Sequence, residues 1–138
     1  MLTVSSKEDY ALVLMSALAK ASKFPVSLRS VSRKQNLPFR YLCQIAQNLK
    51  KAGLLGSKEG VAGGYFLTKS PTKITLEEIF LAVSGKWAPT KCLQNGEVCP
   101  AQKNCPLKLV WKGFEADYFK KISGKTLASL ISKEVRGK

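Results

Sequence analysis

Histidine is absent from the 138-residue sequence, only nine residues are acidic, and no long apolar run occurs. Histidine is the side chain that most often serves as a general acid or base and as a metal ligand. Without it, a metal would be held by thiolates or carboxylates. Because paired carboxylates in the pattern of a catalytic cleft are also lacking, we expect no enzymatic activity and no small-molecule substrate.

The apolar stretches are too short for a membrane protein, since a helix that spans a bilayer needs roughly 20 predominantly apolar residues. Residues 1–8 lack the basic and then apolar pattern of a secretory signal. We therefore expect a cytoplasmic protein without membrane contact. In that compartment cysteines stay reduced, which favours metal or redox chemistry over structural disulfides.

Basic residues dominate the charge. The sequence has 23 lysines and arginines against nine acids, a formal net charge of +14. Residues 1–58 alone hold ten basic and two acidic side chains. A positive field of this size attracts polyanions, and nucleic acid is the first candidate.

Helical periodicity runs through the first 52 residues. Ser5 and Glu8 have the spacing of a capping box and predict a helix to about residue 21. Ser27 caps a second helix to about Gln35. A turn at residues 36–38 then leads into a third helix that Gly53 ends. The apolar stripe of the first helix consists of Tyr10, Val13, Leu14, Ala17, Leu18 and Ala21.

The third helix has two distinct faces. Leu42, Ile45, Ala46 and Leu49 cluster on one side at 100° per residue, and a polar face lies opposite. Two helices joined by a short turn, the second with long polar side chains, predict a helix-turn-helix. Strand candidates at residues 54–55 and 65–68 flank a glycine-rich tip and predict a hairpin wing. The polar face consists of Arg40, Gln44, Gln47 and Lys51.

Each residue type on this surface suggests a role on double-stranded DNA. Gln44 and Gln47 can read adenine edges in the major groove, while Arg40 suits guanine or phosphate. Three lysines are predicted to contact phosphates, which adds affinity without sequence information. The alternative is a three-helix scaffold whose polar face is merely solvated, for instance in a helical adaptor protein. The three lysines are Lys50, Lys51 and Lys58.

Three cysteines lie in a stretch without periodicity, residues 84–106, here called the cysteine segment. Cys92, Cys99 and Cys105 have the spacing C-x6-C-x5-C. Thiolates favour iron–sulfur clusters and zinc, and such sites need about four ligands, so one donor would come from elsewhere. The interpretation as a zinc site is weakened, though not removed, because the C-x2-C knuckle typical of structural zinc is missing. A thiol redox switch is the other alternative. Cys43 lies on a helix flank and is interpreted as a packing residue.

The pattern divides the chain into three parts. Residues 1–83 form a winged helix-turn-helix domain that ends with a short helix capped by Thr75. Residues 84–106 form the cysteine segment, and residues 107–138 form a long helix followed by a C-terminal helix capped by Thr126. The fold class is mainly α with a small β wing. The long helix needs a partner surface for its stripe of Leu107, Val110, Trp111, Phe114, Tyr118 and Ile122.

Together these motifs resemble the IscR/NsrR/CymR-type winged-helix regulators over nearly the whole chain. The resemblance implies a homodimer joined by residues 107–122, palindromic operators, and an iron–sulfur cluster on the three cysteines. The motifs are Tyr10-Ala11-Leu12, Tyr41-Leu42-x-Gln44-Ile45, Leu49-x3-Gly53-Leu54-Leu55-x-Ser57 and Gly60-x2-Gly63-Gly64-Tyr65-x-Leu67, with the cysteine segment.

Departures from the family pattern refine what the resemblance implies. Lys108 occupies the position of the histidine ligand of IscR, so that ligand set is excluded. NsrR-like members use a carboxylate from the first helix of the other subunit, which Asp9 matches, with Glu8 beside it, favouring [4Fe–4S] over [2Fe–2S]. Glu59 stands where the wing often has arginine, which puts minor-groove insertion in doubt. CymR-type members lack the cysteines and bind a partner enzyme. The expected function is a transcriptional regulator, a repressor, that senses cluster status, nitric oxide or redox and iron stress.

Overall fold

Seven α-helices, one short 3-10 helix (Pro71–Lys73) and one two-stranded sheet make up the part of the chain that the structure, a computed structural model, describes, namely residues 6–21, 24–94 and 104–136. The predicted mainly helical fold with a β wing is confirmed. Within the described residues no helix combines the length and apolar character needed to cross a membrane. The elements are α1 (Ser6–Lys20), α2 (Leu28–Gln35), α3 (Phe39–Lys51), β1 (Leu55–Lys58), β2 (Gly64–Leu67), α4 (Leu76–Ser84), α5 (Lys91–Gln94), α6 (Lys108–Ile122) and α7 (Leu127–Arg136).

Helix α1 lies at the centre of the fold and contacts α3, α4 and β2. Its fully buried stripe differs from the predicted one. Leu14 and Leu18 are buried as expected, but Ala11 and Met15 complete the stripe, while Tyr10 and Ala17 pack at its margin. Helix α1 is covered by other elements on several sides, so it carries apolar residues around most of its circumference. The helical spacing of these residues therefore did not identify its most buried side.

The core combines residues from both ends of the chain. Leu127 of α7 is fully buried in the same cluster as the side chains of α1, α3 and α4. Backbone hydrogen bonds hold it there: the Leu127 amide donates to the Ile74 carbonyl at 2.9 Å, and the Leu76 amide donates to the Lys125 carbonyl at 3.0 Å. The C-terminal helix therefore packs onto the winged-helix part of its own chain. The largest core side chains are Leu14, Met15, Leu18, Leu42, Ile45, Leu49, Ile74, Ile79 and Leu127.

The turn between α2 and α3 is held by local contacts. Asn36 adopts the left-handed conformation with φ 55°, which asparagine tolerates better than most residues. The Ser32 hydroxyl donates to the Leu37 carbonyl at 2.6 Å. The Arg29 guanidinium lies 4.4 Å from the ring centroid of Phe39, a cation–π contact between the two helices. These contacts fix the orientation of α3 relative to α2.

The wing is an antiparallel hairpin in which Leu55 pairs with Leu67 and Lys58 with Gly64. A further bridge joins its second strand to the segment before α2. The Val26 amide donates to the Tyr65 carbonyl at 2.8 Å, and the Tyr65 amide donates to the Val26 carbonyl at 2.9 Å. The wing is thus bonded to the helix-turn-helix by its backbone.

Gly64 is required at the place where the wing meets this segment. A Cβ on Gly64 would overlap the Val26 carbonyl group. We expect Gly64→Ala to lower the free energy of unfolding by about 1–3 kcal/mol, because backbone atoms would have to shift. Val61→Ala, at the fully exposed wing tip, is the control and should stay within about 0.5 kcal/mol of the parent protein. Equal denaturation midpoints for Gly64→Ala and Val61→Ala would contradict this prediction.

Candidate nucleic-acid interface and cysteine segment

The polar face of α3 is exposed, and its apolar face is buried. Arg40, Gln44, Gln47 and Lys51 are all exposed, whereas the predicted apolar residues of the same helix are all in the core. The side chains that could reach base edges therefore stand on one surface, here called the reading face. A helix carrying such a face has the dimensions that fit the major groove of B-form DNA.

Lysines next to the reading face connect it to the wing. Lys50 is exposed, and its Nζ donates to Ser57 Oγ at 2.6 Å. On the same side, Thr68 Oγ1 donates to the Gly53 carbonyl at 2.6 Å. Lys50 therefore also has a structural contact, which the sequence did not reveal. Lys58 is exposed at the end of β1.

Helix α2 contributes basic side chains that the sequence reasoning did not assign to the interface. Arg33 and Lys34 are exposed in its last turn. In helix-turn-helix proteins the first helix of the motif crosses the DNA backbone, so these two residues are further candidates for phosphate contacts. Their signal in the sequence is the adjacent pair of basic residues just before the turn.

The structure describes two of the three clustered cysteines. Cys92 is exposed on α5, and its Sγ lies 3.1 Å from Thr90 Oγ1. Cys105 is half-buried just before α6. Cys99 lies outside the described residues. Cys43 is half-buried and packs against the core, as a packing residue would.

The two acidic residues at the start of α1 point in different directions. Glu8 is only 5% exposed, whereas its neighbour Asp9 is exposed. Burial raises the pKa of Tyr118 on α6 to about 12, and the negative charge of Glu8 adds to the shift. Glu8 therefore lies close to α6. Of the two carboxylates, Asp9 is the one open to a ligand from outside the chain.

No three potential metal ligands among Cys, Asp and Glu come together within residues 6–21, 24–94 and 104–136. The predicted ligands that the structure describes lie on α1, on α5 and before α6. The structure therefore does not assemble the predicted four-ligand site from one chain's described residues. Thiolate and carboxylate donors of this kind nevertheless suit iron.

Comparison with known proteins identifies the family. A family model described as "Rrf2: Iron-dependent Transcriptional regulator" matches residues 4–133. The chain belongs to the Rrf2 family. This confirms the resemblance to IscR- and CymR-type regulators. Rrf2 members are transcriptional regulators that bind DNA, and not enzymes.

Individual relatives give the same assignment from two branches. The chain is 31% identical over 132 residues to the HTH-type transcriptional regulator IscR of Erwinia tasmaniensis, covering 95% of this chain and 79% of that protein. It is 35% identical over 107 residues to the HTH-type transcriptional regulator CymR of Bacillus subtilis, covering 77% and 76%. The solved structure of CymR, the global cysteine regulator of B. subtilis, matches with a TM-score of 0.76 at 32% identity, covering 96% and 98%. This Rrf2 chain is thus similar to both IscR and CymR.

Proposed function

We propose that this Rrf2-family regulator binds a palindromic operator as a homodimer, and that an iron–sulfur cluster controls the binding. The observation that carries the DNA-binding part is the charge of the helix-turn-helix. Residues 28–51 contain six basic residues and no acidic residue, and the reading face of α3 is exposed. An exposed helix face free of negative charge can approach phosphates closely.

The residue types of the reading face assign roles on the DNA. Gln44 and Gln47 lie one turn apart and would hydrogen-bond adenine edges, while Arg40 would contact guanine or phosphate. Lys51 would contact a phosphate, as would Lys50 and Lys58, with Lys50 also holding the wing against α3. Glu59 is exposed beside Lys58 and would keep the wing tip away from the phosphates. Specificity is thereby concentrated on α3.

A second copy of the chain is the proposed partner of α6. None of the described side chains of α6 is fully buried within one chain, and Val110 and Phe114 are 50% and 46% exposed. Exposed apolar side chains in such a row mark interaction sites more often than isolated ones do. A twofold axis through α6 would place two reading faces on two half-sites, which is why the operator should be palindromic. The exposed apolar residues of this row are Leu107, Val110 and Phe114, whereas Leu109 projects from the other side of the helix.

The cluster would be held by Cys92, Cys99 and Cys105, with Asp9 of the other subunit as the fourth ligand. Cys92 is an exposed thiol and Cys105 a half-buried one, and the family model describes iron-dependent regulators. A bound iron–sulfur cluster supplies iron that reacts with oxidants or nitric oxide, [4Fe–4S] being favoured over [2Fe–2S]. Asp9, on the first turn of α1, would transmit loss of the cluster to the DNA-binding domain.

A thiol redox switch is the second candidate for the sensing chemistry. Cys92 is exposed, and its Sγ lies 3.1 Å from the Thr90 hydroxyl. Exposed thiols are the ones that oxidants reach. Metal and sulfide content separates the two candidates, because the thiol switch requires neither.

Two substitutions on α3 test the assignment of the reading face. We expect Gln44→Ala to lower affinity for the operator by about 1–3 kcal/mol while leaving random DNA almost unaffected, because a base contact carries sequence information. Lys51→Ala should instead weaken operator and random DNA alike and reduce the log–log salt slope by about 0.9. Fluorescence anisotropy over a salt series measures both. Equal losses on operator and random DNA for Gln44→Ala would contradict the assignment.

A further inference from the structure

Helix α6 is held to its own chain at one end. Its C-terminal end leads through residues 123–125 into α7, where Thr126 pairs with Thr75 and Leu127 is fully buried in the core. Toward the N-terminal end, Leu109 and Phe114 are exposed. A helix that is packed against the rest of the chain at only one end needs a second contact to fix its orientation.

The second contact is an aromatic stack. The rings of Trp87 and Tyr118 are parallel within 16°, with centroids 4.0 Å apart. The Tyr118 hydroxyl is buried and has no hydrogen-bond partner among the described residues, and Glu8 of α1 lies close to it. One turn earlier on α6, Glu115 Oε1 lies 3.9 Å from Lys86 Nζ. Adjacent residues 86 and 87 thus both contact the same side of α6.

Trp87 also links α6 to the cysteine segment. It follows Gly85, whose φ of 70° ends α4 and turns the chain toward α6. Five residues later the chain reaches Cys92 on α5. A displacement of the segment around Cys92 would therefore act on Trp87 over a short length of chain. Because the two rings are stacked, a displacement of Trp87 would act directly on Tyr118.

A cleft that is partly open to solvent lies beside the stack. It has a volume of about 240 Å³ and is lined mainly by apolar side chains of α4 and α6, including Phe80, Phe119 and Ile122. Because the cleft is not filled by other side chains, α6 would be free to tilt into it without the stack. Lys108 is ten residues from Tyr118, a lever of about 15 Å, so a small tilt becomes a large displacement at the far end.

We propose that the Trp87–Tyr118 stack is the joint that sets the angle of α6 relative to the DNA-binding helices and passes displacements of the residues around Cys92 to that angle. The proposal rests on the proposed role of α6 as the dimerisation helix. Trp87 and Tyr118 are positioning residues, since neither lies on the reading face. In a dimer, the angle of α6 determines the distance between the two reading faces and hence the preferred half-site spacing.

The test compares full-length variants by small-angle scattering without DNA, and by affinity for operators whose half-site spacing differs by one base pair. Trp87→Ala and Tyr118→Leu both remove the stack, and the second keeps apolar bulk if the first does not fold. Both should broaden the distance distribution, reduce the preference for one spacing, and weaken the best operator by roughly two- to tenfold, the worth of an aromatic pair. Affinity for an isolated half-site should not change.

Tyr118→Phe is the matched control, because it keeps the stacked ring and removes only the hydroxyl; it should behave like the parent protein. Parental scattering and spacing preference in both Trp87→Ala and Tyr118→Leu would overturn the proposal, and so would an equal effect of Tyr118→Phe. If the distance distribution broadens in the two variants but the parent protein itself prefers no half-site spacing, the result supports the role of the stack and contradicts the proposed palindromic operator.

Discussion

Replacing Phe114 by glutamate is expected to convert the proposed dimer into monomers and to abolish tight operator binding. Phe114 is 46% exposed in the single chain and belongs to the exposed apolar row of α6. A glutamate there would place an unpaired charge in the interface, at a cost of about 3–5 kcal/mol. Because each monomer holds only one reading face, operator affinity should fall to that of a half-site. Sedimentation equilibrium gives the mass, and anisotropy gives the affinity.

Ala116→Glu is the matched control for this substitution. Ala116 is exposed on the same helix, and at 100° per residue it points about 200° away from Phe114. The same charge should leave the dimer intact at that position. A dimeric Phe114→Glu protein would place the interface elsewhere, and two monomeric variants would mean that any added charge on α6 is disruptive.

Removing any one of the three clustered thiols is expected to cause complete loss of bound iron and sulfide. We expect the cluster to be abolished by each of Cys92→Ala, Cys99→Ala and Cys105→Ala. The proposed site has only three thiolate ligands, and two would not hold a cluster. The anaerobically purified variants should lack the visible absorption of the parent protein. Chemical assays of iron and sulfide provide the measurement.

Cys43→Ala is the control, since Cys43 lies on α3 and packs against the core. It should retain iron and sulfide at parental levels. Asp9→Ala should give an intermediate result, a cluster that forms but is labile, because an oxygen ligand is replaced and not a thiolate. Parental stability and spectrum in Asp9→Ala would exclude it as the fourth ligand.

The local features of the fold could be predicted from the sequence. Helix α3 has four apolar residues at helical spacing and a polar side opposite, so the buried and exposed sides were assigned correctly. Its ends follow from Pro38 and Gly53. The Thr75 cap of α4 was predicted, and Glu78 completes its capping box at the T-x-x-E spacing that is visible in the sequence.

Features that depend on packing could not be predicted in the same way. The buried side of α1 was misplaced because apolar residues surround that helix, and the contact with α3 and α4 decides which of them is most buried. The contacts of Tyr118 with Glu8 and with Trp87 join residues that are more than 30 positions apart in the sequence. No local pattern marks such a contact. The proposed cluster likewise combines distant residues, and one of its ligands would come from the other subunit.

The claim that an iron–sulfur cluster controls operator binding is tested by the operator affinity of anaerobically purified protein, measured with its iron and sulfide content before and after chelation of the cluster. We expect iron and sulfide in the purified protein, and a change in operator affinity of roughly tenfold or more when they are removed, which corresponds to about 1.4 kcal/mol of coupling between the two sites. Protein that binds the operator tightly, contains neither iron nor sulfide, and does not respond to reconstitution would contradict the claim.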